Sequence, residues 1–385
     1  MDQILALLDY QALRVIWFVL LGVLFWGFAL TDGFDLGVGL LLPFVAQKDS
    51  ERRILINTIA PVWEGNQVWL ILSAGAIFAA WPMVYAVLFT GLYLPLIGVL
   101  FAIMLRPVGF KYRSKMPSPV WRGFWDGCLF VAGLLPASSF GIVLGALLCG
   151  LPFHFNSELR LEITSPSLTH PVIVSSAILW VFLCGCHGGL YLLMKTSDVV
   201  QSRVRGIILP GLWGTNIVFC VFLSLWKTMI PKTLVLQVTD GPSNPLLKEV
   251  ALYAPHVSQV LTDALPLSGS ALFLWSLFVG VSLLIASFIR RGLYGWAFGF
   301  HGFLLALVIG FVGLSHFPII VPSSTHPGHS LTVWDASSSE MSLFFMLIAA
   351  LIFVPIIITY TTWVYRVMRG RVDSQWLKDN ADKAY

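Results

Sequence analysis

The sequence has few charged residues. Asp, Glu, Lys and Arg make up 11% of its 385 positions, whereas 57% are hydrophobic. Soluble domains carry roughly 25% charged residues, so this composition excludes an ordinary soluble protein. Cysteine is scarce as well: the chain has five, all in or at the ends of apolar runs. An odd, buried set indicates free thiols rather than a disulfide framework.

Several common functional signatures are missing. The sequence has no Walker A loop, no G-x-G-x-x-G fingerprint and no dense cluster of metal-ligating side chains. The first residues, Met1-Asp2-Gln3, lack the basic segment that opens a secretory signal peptide, so we expect no cleaved leader. Nothing in the sequence indicates nucleic-acid binding, and no metal site is predicted.

Long apolar runs take the place of these features. A helix needs about 20 apolar residues to cross a bilayer. The runs predict an all-α integral membrane protein, a bundle of nine transmembrane helices in one membrane domain, 1–385. The predicted spans are about 13–44, 54–75, 78–105, 121–150, 170–195, 205–230, 265–289, 292–320 and 338–368.

The distribution of positive charge predicts the orientation. Most of the 23 lysines and arginines fall in the connections that alternate spans place on one side, and in the tail after 365. Positively charged connections stay inside, so we expect an outer N-terminus and an inner C-terminus. The net charge of +4 is then a consequence of topology.

The stretch 57–69 (NTIAPVWEGNQVW) carries polar side chains into the second apolar run. At helical spacing, Asn57, Glu64, Gln67 and Ile71 share one face. An ionisable group inside a membrane costs roughly 3 kcal/mol on insertion scales. We therefore expect Glu64 to face the protein interior, either as a proton-handling carboxylate or as part of a hydrogen-bonded clasp between helices.

Further charged residues lie in neighbouring spans. Asp32 and Asp35 share a face of the first span, close to three glycines that allow another helix to approach. Because Pro107 follows it, Arg106 is predicted to end its helix, reaching back towards an acid or out to lipid phosphates. Asp126 lies one turn after Arg122, which predicts an ion pair between them.

Two histidines lie within predicted spans. His187 follows Cys184-Gly185-Cys186, which is similar to a c-type haem attachment motif but lacks one spacer residue. His187 and His301 are therefore candidate haem ligands. A hydrogen-bonded core histidine is the simpler interpretation of each.

These observations leave more than one class of function open. Buried acids and glycine-rich spans suit an ion-coupled secondary transporter, although no internal repeat is evident. A structural scaffold locked by polar contacts is equally compatible with the pattern.

Separated motifs extend the interpretation beyond composition. The chain resembles subunit II of the cytochrome bd family of quinol oxidases, and the similarity runs in order along nearly all of it. Those motifs are 31–39 (TDGFDLGVG), 63–69 (WEGNQVW), 78–86 (FAAWPMVYA), 106–110 (RPVGF), 322–325 (PSST), 331–338 (LTVWDASS) and the final Tyr385.

The resemblance implies a complex of the bacterial inner membrane that oxidises quinol and reduces dioxygen to water without pumping protons. Its N-terminus would be periplasmic and its C-terminus cytoplasmic. The haems, two of type b and one of type d, and the quinol-oxidation loop are expected on a larger partner, subunit I. A small single-helix accessory subunit accompanies some complexes, and some members hold a structural quinone in subunit II.

The resemblance also implies roles for individual residues. Glu64, where the family also uses Asp, would belong to a proton path with Tyr385 near its cytoplasmic mouth. Trp69 would lie near a dioxygen route. A charged cluster would fix the helices or the subunit interface; its expected members are Asp32, Asp35, Arg106 and Asp126.

Overall fold

The structure is a computed structural model that describes residues 9–237, 244, 246, 248–253 and 267–380. Its architecture is helical, with three two-stranded antiparallel sheets in the connections. The helices are α1 (Tyr10–Val45), α2 (Asp49–Ile59), α3 (Trp63–Ala80), α4 (Pro82–Gly91), α5 (Tyr93–Tyr112), α6 (Pro119–Cys149), α7 (Pro171–Lys195), α8 (Asp198–Met229), α9 (Leu267–Arg290), α10 (Tyr294–Ser315), α11 (Glu340–Val367) and α12 (Ser374–Asp379).

Eight helices among the described residues are long and apolar enough to cross a membrane, and their positions coincide with most of the predicted spans. The third predicted span, 78–105, is divided at Leu92 into α4 and α5, and α5 continues to Tyr112. The second predicted span also differs. Instead of one helix it is a pair, because the chain turns at 60–62 and separates α2 from α3. Asn57 and Glu64 therefore belong to different helices, and the single polar face predicted for 57–71 does not form.

Helix α1 is the centre of the bundle and packs against α3, α6 and α7. Its closest approach is to α7, where a Cβ added to Gly188 would lie 2.4 Å from the carbonyl carbon of Gly37. On the adjacent side, a Cβ added to Gly133 of α6 would lie 2.6 Å from the carbonyl oxygen of Leu36. Small residues thus let three backbones meet, as in other membrane helix interfaces.

Helix α5 continues past Pro107 to Tyr112, so the prediction that Arg106 ends its helix was wrong. Proline is tolerated in membrane helices when neighbouring groups compensate for the lost hydrogen bond. Packing holds the final turns of α5 in place: a Cβ added to Gly109 would lie 2.8 Å from the side chain of Leu129 on α6.

The three hairpins share one end of the bundle, where Leu151 bridges to Ser323 and Lys248 pairs with Asp335. They are β1 (Phe153–Phe155) with β2 (Leu161–Ile163), β3 (Lys232–Gln237) with β4 (Glu249–Tyr253), and β5 (Ile319–Val321) with β6 (Leu331–Thr332). At the opposite end, α12 packs on α2 through Leu377, Val372 and Ile54. All five cysteines are free, as predicted.

Candidate functional site

Asp32 and Arg106 form an ion pair in the centre of the bundle. Helix α1 supplies the acid and α5 the base, with 2.5 Å between Arg106 Nη1 and Asp32 Oδ1. Arg106 is 3% exposed and Asp32 is fully buried. The sequence predicted that Arg106 ends its helix and reaches back towards an acid or out to lipid phosphates. The helix instead continues through Pro107, and the guanidinium pairs with Asp32.

A second buried acid, Asp35, lies one turn further along α1. Its Oδ2 accepts a 2.7 Å hydrogen bond from Asn66 Nδ2, and Asn66 Oδ1 accepts one of 2.6 Å from the hydroxyl of Tyr365. These three side chains connect α1, α3 and α11. Nothing in the sequence singled out Tyr365, because its position opposite Asn66 depends on how the last helix packs.

Asp35 borders a small internal cavity. Its Oδ1 has no hydrogen-bond partner among the described residues, and the cavity, about 20 Å³, is also lined by Arg106. The rest of the lining is mostly apolar, and a space of that size has room for about one water molecule beside the two charged groups. Asp32, Arg106, Asp35, Asn66 and Tyr365 thus form a connected polar interior, which we call the central polar cluster.

Glu64 lies outside this cluster, which corrects the expectation that it faces the interior. It occupies the first turn of α3 on the exposed face of that helix. The same face continues through Val68, Ile71 and Phe78, which are 44%, 71% and 60% exposed. The amide that points inward is Asn66, two positions away. The helix starts only at Trp63, so the register counted from Asn57 was wrong.

Asp126 belongs to a separate group at the end of the bundle opposite the three hairpins, the end that the distribution of Lys and Arg predicts to be the inner one. Its carboxylate pairs with Arg113 at 2.5 Å and with Arg52 at 2.7 Å. Asp49 pairs with Arg113 and with Arg122, both at 2.8 Å. We call these five residues the inner arginine cluster.

Two sequence predictions fail at the inner arginine cluster. Asp126 does not share a cluster with Asp32 and Arg106, and its predicted partner Arg122 pairs with Asp49 instead. The reason is that α2 and the end of α5 bring Arg52 and Arg113 against α6. These contacts of Asp126 with distant segments replace the predicted local pair with Arg122, which lies one turn away on the same helix.

Trp69 is buried on the inner face of α3, 8% exposed. A Cβ added to Gly27 of α1 would lie 2.6 Å from its ring, so the indole fills the space that the glycine leaves. Tyr385 lies outside the described residues.

A larger apolar cavity of about 340 Å³ opens between α1, α4, α6 and α10. Its lining includes Trp26, Ile77, Val84 and His316. Ile77 lies on the same buried face of α3 as Trp69, two turns further along. Trp69 is not part of the lining and lies roughly 12 Å along the helix from Ile77.

His187 and His301 are both fully buried and stack with their ring centroids 5.2 Å apart and their planes inclined by 19°. Phe298 stacks on His187 at 4.2 Å. His187 Nε2 hydrogen-bonds to the carbonyl of Leu30. Two histidines that share a haem iron face each other across the porphyrin, whereas these rings lie against each other. The pair does not fit a shared haem.

Comparisons with known proteins agree with this architecture. The family model described as cytochrome bd terminal oxidase subunit II matches residues 13–368. The chain is 42% identical to a probable cytochrome oxidase subunit 2 of Haemophilus influenzae, covering 98% of this chain and 100% of that protein. It is 40% identical to cytochrome bd-I ubiquinol oxidase subunit 2 of Escherichia coli K12, with the same coverage.

A more distant relative and a solved structure extend the comparison. Cytochrome bd ubiquinol oxidase subunit 2 of Bacillus subtilis is 33% identical over 94% of this chain and 97% of that protein. The bd oxidase structure from Geobacillus thermodenitrificans matches with a TM-score of 0.67 at 16% identity, over 92% of this chain and 98% of that one. A full-length match of this kind favours the oxidase over the ion-coupled transporter. The chain belongs to the family of cytochrome bd terminal oxidase subunit II, a component of the membrane complex that oxidises quinol with dioxygen.

Proposed function

We propose that this chain serves the oxidase by presenting a proton-handling carboxylate, Glu64, to the haem-bearing subunit I. The observation that carries the proposal is the position of Glu64 on an exposed, otherwise apolar face of a membrane helix. A carboxylate facing lipid costs several kcal/mol, which burial against a protein partner with polar groups would offset. The exposed face of α3 is thus the surface expected to contact subunit I.

Nine membrane crossings would place the two ends of the chain on opposite sides of the membrane. The eight apolar helices leave one more crossing to α3, which is 18 residues long and packs against α1. The lysines and arginines concentrate on the side that holds α2, the start of α6 and the tail, and this uneven distribution supports the arrangement. We accordingly place the N-terminus in the periplasm and the C-terminus in the cytoplasm.

The tail supports a cytoplasmic entrance for protons near Glu64. Helix α12, the last described element of the chain, packs on α2, the helix that precedes the turn into α3. Tyr385 follows Asp379 by six residues, a reach of at most roughly 20 Å. That reach lets Tyr385 approach the inner end of the α3 face, as its proposed place at the mouth of the path requires.

The central polar cluster would have a positioning role beside this path. Its ion pair ties α1 to α5, and the chain from Asp35 through Asn66 to Tyr365 ties α1 to α3 and α11. Asn66 lies two residues from Glu64, so the cluster holds the register of the helix that carries the carboxylate. We propose that the inner arginine cluster does the same for the inner ends of α2, α5 and α6.

The apolar cavity lined by Ile77, on the buried face of α3 that also carries Trp69, would serve ligands that avoid water. Dioxygen partitions into apolar space, and Trp69 would border its way in. The volume of about 340 Å³ also lies in the range of small-molecule pockets and suits part of a structural quinone, with the His316 ring among the lining side chains. Haems b and d would be held by subunit I, since the stacked histidines here do not fit a shared haem. The accessory subunit would bind elsewhere on the exposed surface.

The proposal for Glu64 is tested with Glu64→Gln, which keeps the shape of the side chain and removes its titratable proton. Glu158→Gln is the matched control, because Glu158 lies in a connection and is 65% exposed. In the purified complex, we expect quinol-oxidase turnover of Glu64→Gln to fall roughly 10²-fold, the range of a lost proton-transfer group, with haem content unchanged.

Haem content separates the two parts of the proposal. A loss of haem together with subunit I would mean that Glu64 acts mainly in docking. Full turnover with full haem content would exclude both roles. The control variant should match the unmodified complex in each assay.

A further inference from the structure

The inner arginine cluster contains more positive than negative charge. Three guanidinium groups face the carboxylates of Asp49 and Asp126, so the cluster keeps an excess of one positive charge at neutral pH. Every carboxylate in it is already paired at 2.5–2.8 Å. An additional anion would therefore neutralise the remaining positive charge without having to displace a carboxylate.

Several hydrogen-bond donors of the cluster remain unused. Arg113 is 1% exposed, yet its Nη1 has no partner among the described residues. The Nε atoms of Arg52 and Arg122 are also buried without an acceptor in that part of the chain. Leaving a charged donor buried and unpaired costs at least about 1–3 kcal/mol. Three such donors in one cluster indicate that an acceptor with several oxygens belongs there.

The cluster is open on one side. The side chains of Arg52 and Arg122 are 32% and 30% exposed, and that of Asp49 is 41% exposed. A ligand can thus reach the arginines without unfolding the bundle.

The start of α6 adds to the attraction for an anion. This 31-residue helix begins at Pro119, and its N-cap, Ser118, makes no side-chain capping hydrogen bond. The first N–H groups of a helix and its positive dipole end favour a negative group. Arg122 lies in the same turn, so its guanidinium and the helix N-terminus attract an anion to the same place.

Apolar and aromatic side chains beside the cluster indicate the membrane interface. Val120 and Phe124 are 82% and 60% exposed on α6. Trp121 packs edge-on against Trp125, whose indole Nε1 is a further buried donor with no partner among the described residues. Tryptophans of this kind gather at the headgroup level of a bilayer. A ligand here meets cations at one end and apolar surface at the other.

We infer that the inner arginine cluster is a binding site for a phosphate group, supplied by the headgroup of an anionic phospholipid of the inner leaflet. The phosphate oxygens would accept from Arg52 and Arg122, the two partly exposed arginines, and the acyl chains would lie over Val120 and Phe124. Free inorganic phosphate has the same oxygen chemistry but lacks the chains, so the two sources can be separated by experiment.

The test uses the intact oxidase complex. Its thermal unfolding is followed in nanodiscs of phosphatidylcholine with and without phosphatidylglycerol, and in detergent with added inorganic phosphate. We expect phosphatidylglycerol to raise the unfolding temperature and inorganic phosphate to do so weakly. Equal effects of phosphate and lipid would identify a general phosphate site. No effect of either would overturn the inference.

Three variants locate the effect. Arg122→Gln should bind phosphatidylglycerol about tenfold more weakly, the loss expected for a charge-assisted hydrogen bond, and Arg122→Lys should recover part of it. Arg291→Gln is the matched control, an exposed arginine in the turn after α9 at the same end of the bundle. If Arg122→Gln and Arg291→Gln lose binding equally, the site is not the inner arginine cluster.

A further variant changes binding in the opposite direction. Asp49→Asn removes one of the two carboxylates that compete for the guanidinium groups. We expect tighter binding of phosphatidylglycerol even though the bundle loses two ion pairs. Weaker binding in step with lower stability would show that the cluster is only structural.

Discussion

The ion pair between Asp32 and Arg106 offers the sharpest test of how the bundle is held together. Both side chains are almost completely buried, 0% and 4% exposed, with 2.5 Å between their closest atoms. Replacing Arg106 by Gln leaves the Asp32 carboxylate inside the bundle without a charged partner. Breaking a buried pair in this way typically destabilises a protein by about 3–5 kcal/mol.

The size of the effect makes it measurable. A loss of 3 kcal/mol corresponds to more than a hundredfold change in the folding equilibrium. We expect Arg106→Gln and Asp32→Asn each to lower strongly the fraction of this subunit that stays folded in the complex on heating. The double variant should recover much of the loss, because neither charge then remains unpaired.

The control is an ion pair on the surface. Arg160 and Glu158 lie 3.0 Å apart, with side chains 78% and 65% exposed, and such pairs contribute about 0–1 kcal/mol. Arg160→Gln should therefore change little. The reasoning would be refuted if Arg106→Gln were as stable as Arg160→Gln, or if the double variant lost the sum of the two single losses.

Other predictions concern helix packing and pH. Gly188→Ala should separate α1 from α7 and reduce assembly, because its Cβ would lie 2.4 Å from Gly37, whereas Gly22→Ala, with nothing within 4 Å, should assemble normally in a yield assay. Burial alone would raise the pKa of Glu51, but hydrogen bonds from Arg203 and from the backbone of Lys48 and Gln47 lower it below its usual value. The stabilisation from Glu51 should therefore be complete above its unfolded pKa of about 4.3 and disappear as the pH falls through the lower folded value. Thermal unfolding of Glu51→Gln against pH would show it, and a difference that persisted unchanged at low pH would contradict the sign.

The buried polar contacts show what can and what cannot be predicted from local sequence patterns. The acids of α1 were recognisable because Asp32 and Asp35 interrupt an apolar run, and burial confirms that both lie inside. Their partners were not recognisable. Arg106 was expected at a helix end, and Tyr365 was not expected at all, because both contacts join segments far apart in the chain.

Glu64 shows a different failure of local reasoning. The helical spacing from Asn57 placed it on an interior face, but the turn at 60–62 reset the register before α3 began. A turn of three residues between two helices changes the direction of every side chain that follows it, relative to the helix before the turn. The exposed carboxylate that results is also the feature on which the proposed contact between α3 and subunit I rests.

By itself, the sequence determined the class of molecule. Long apolar runs leave a chain no stable alternative to membrane helices, since each helix satisfies its own backbone hydrogen bonds without water. The motifs were sufficient to identify the family, which the comparisons confirm. The tertiary structure alone decided which charges meet. The Asp32–Arg106 pair and the inner arginine cluster depend on helix rotation and on glycine contacts such as Gly37 with Gly188, and these are set by the packing of whole helices.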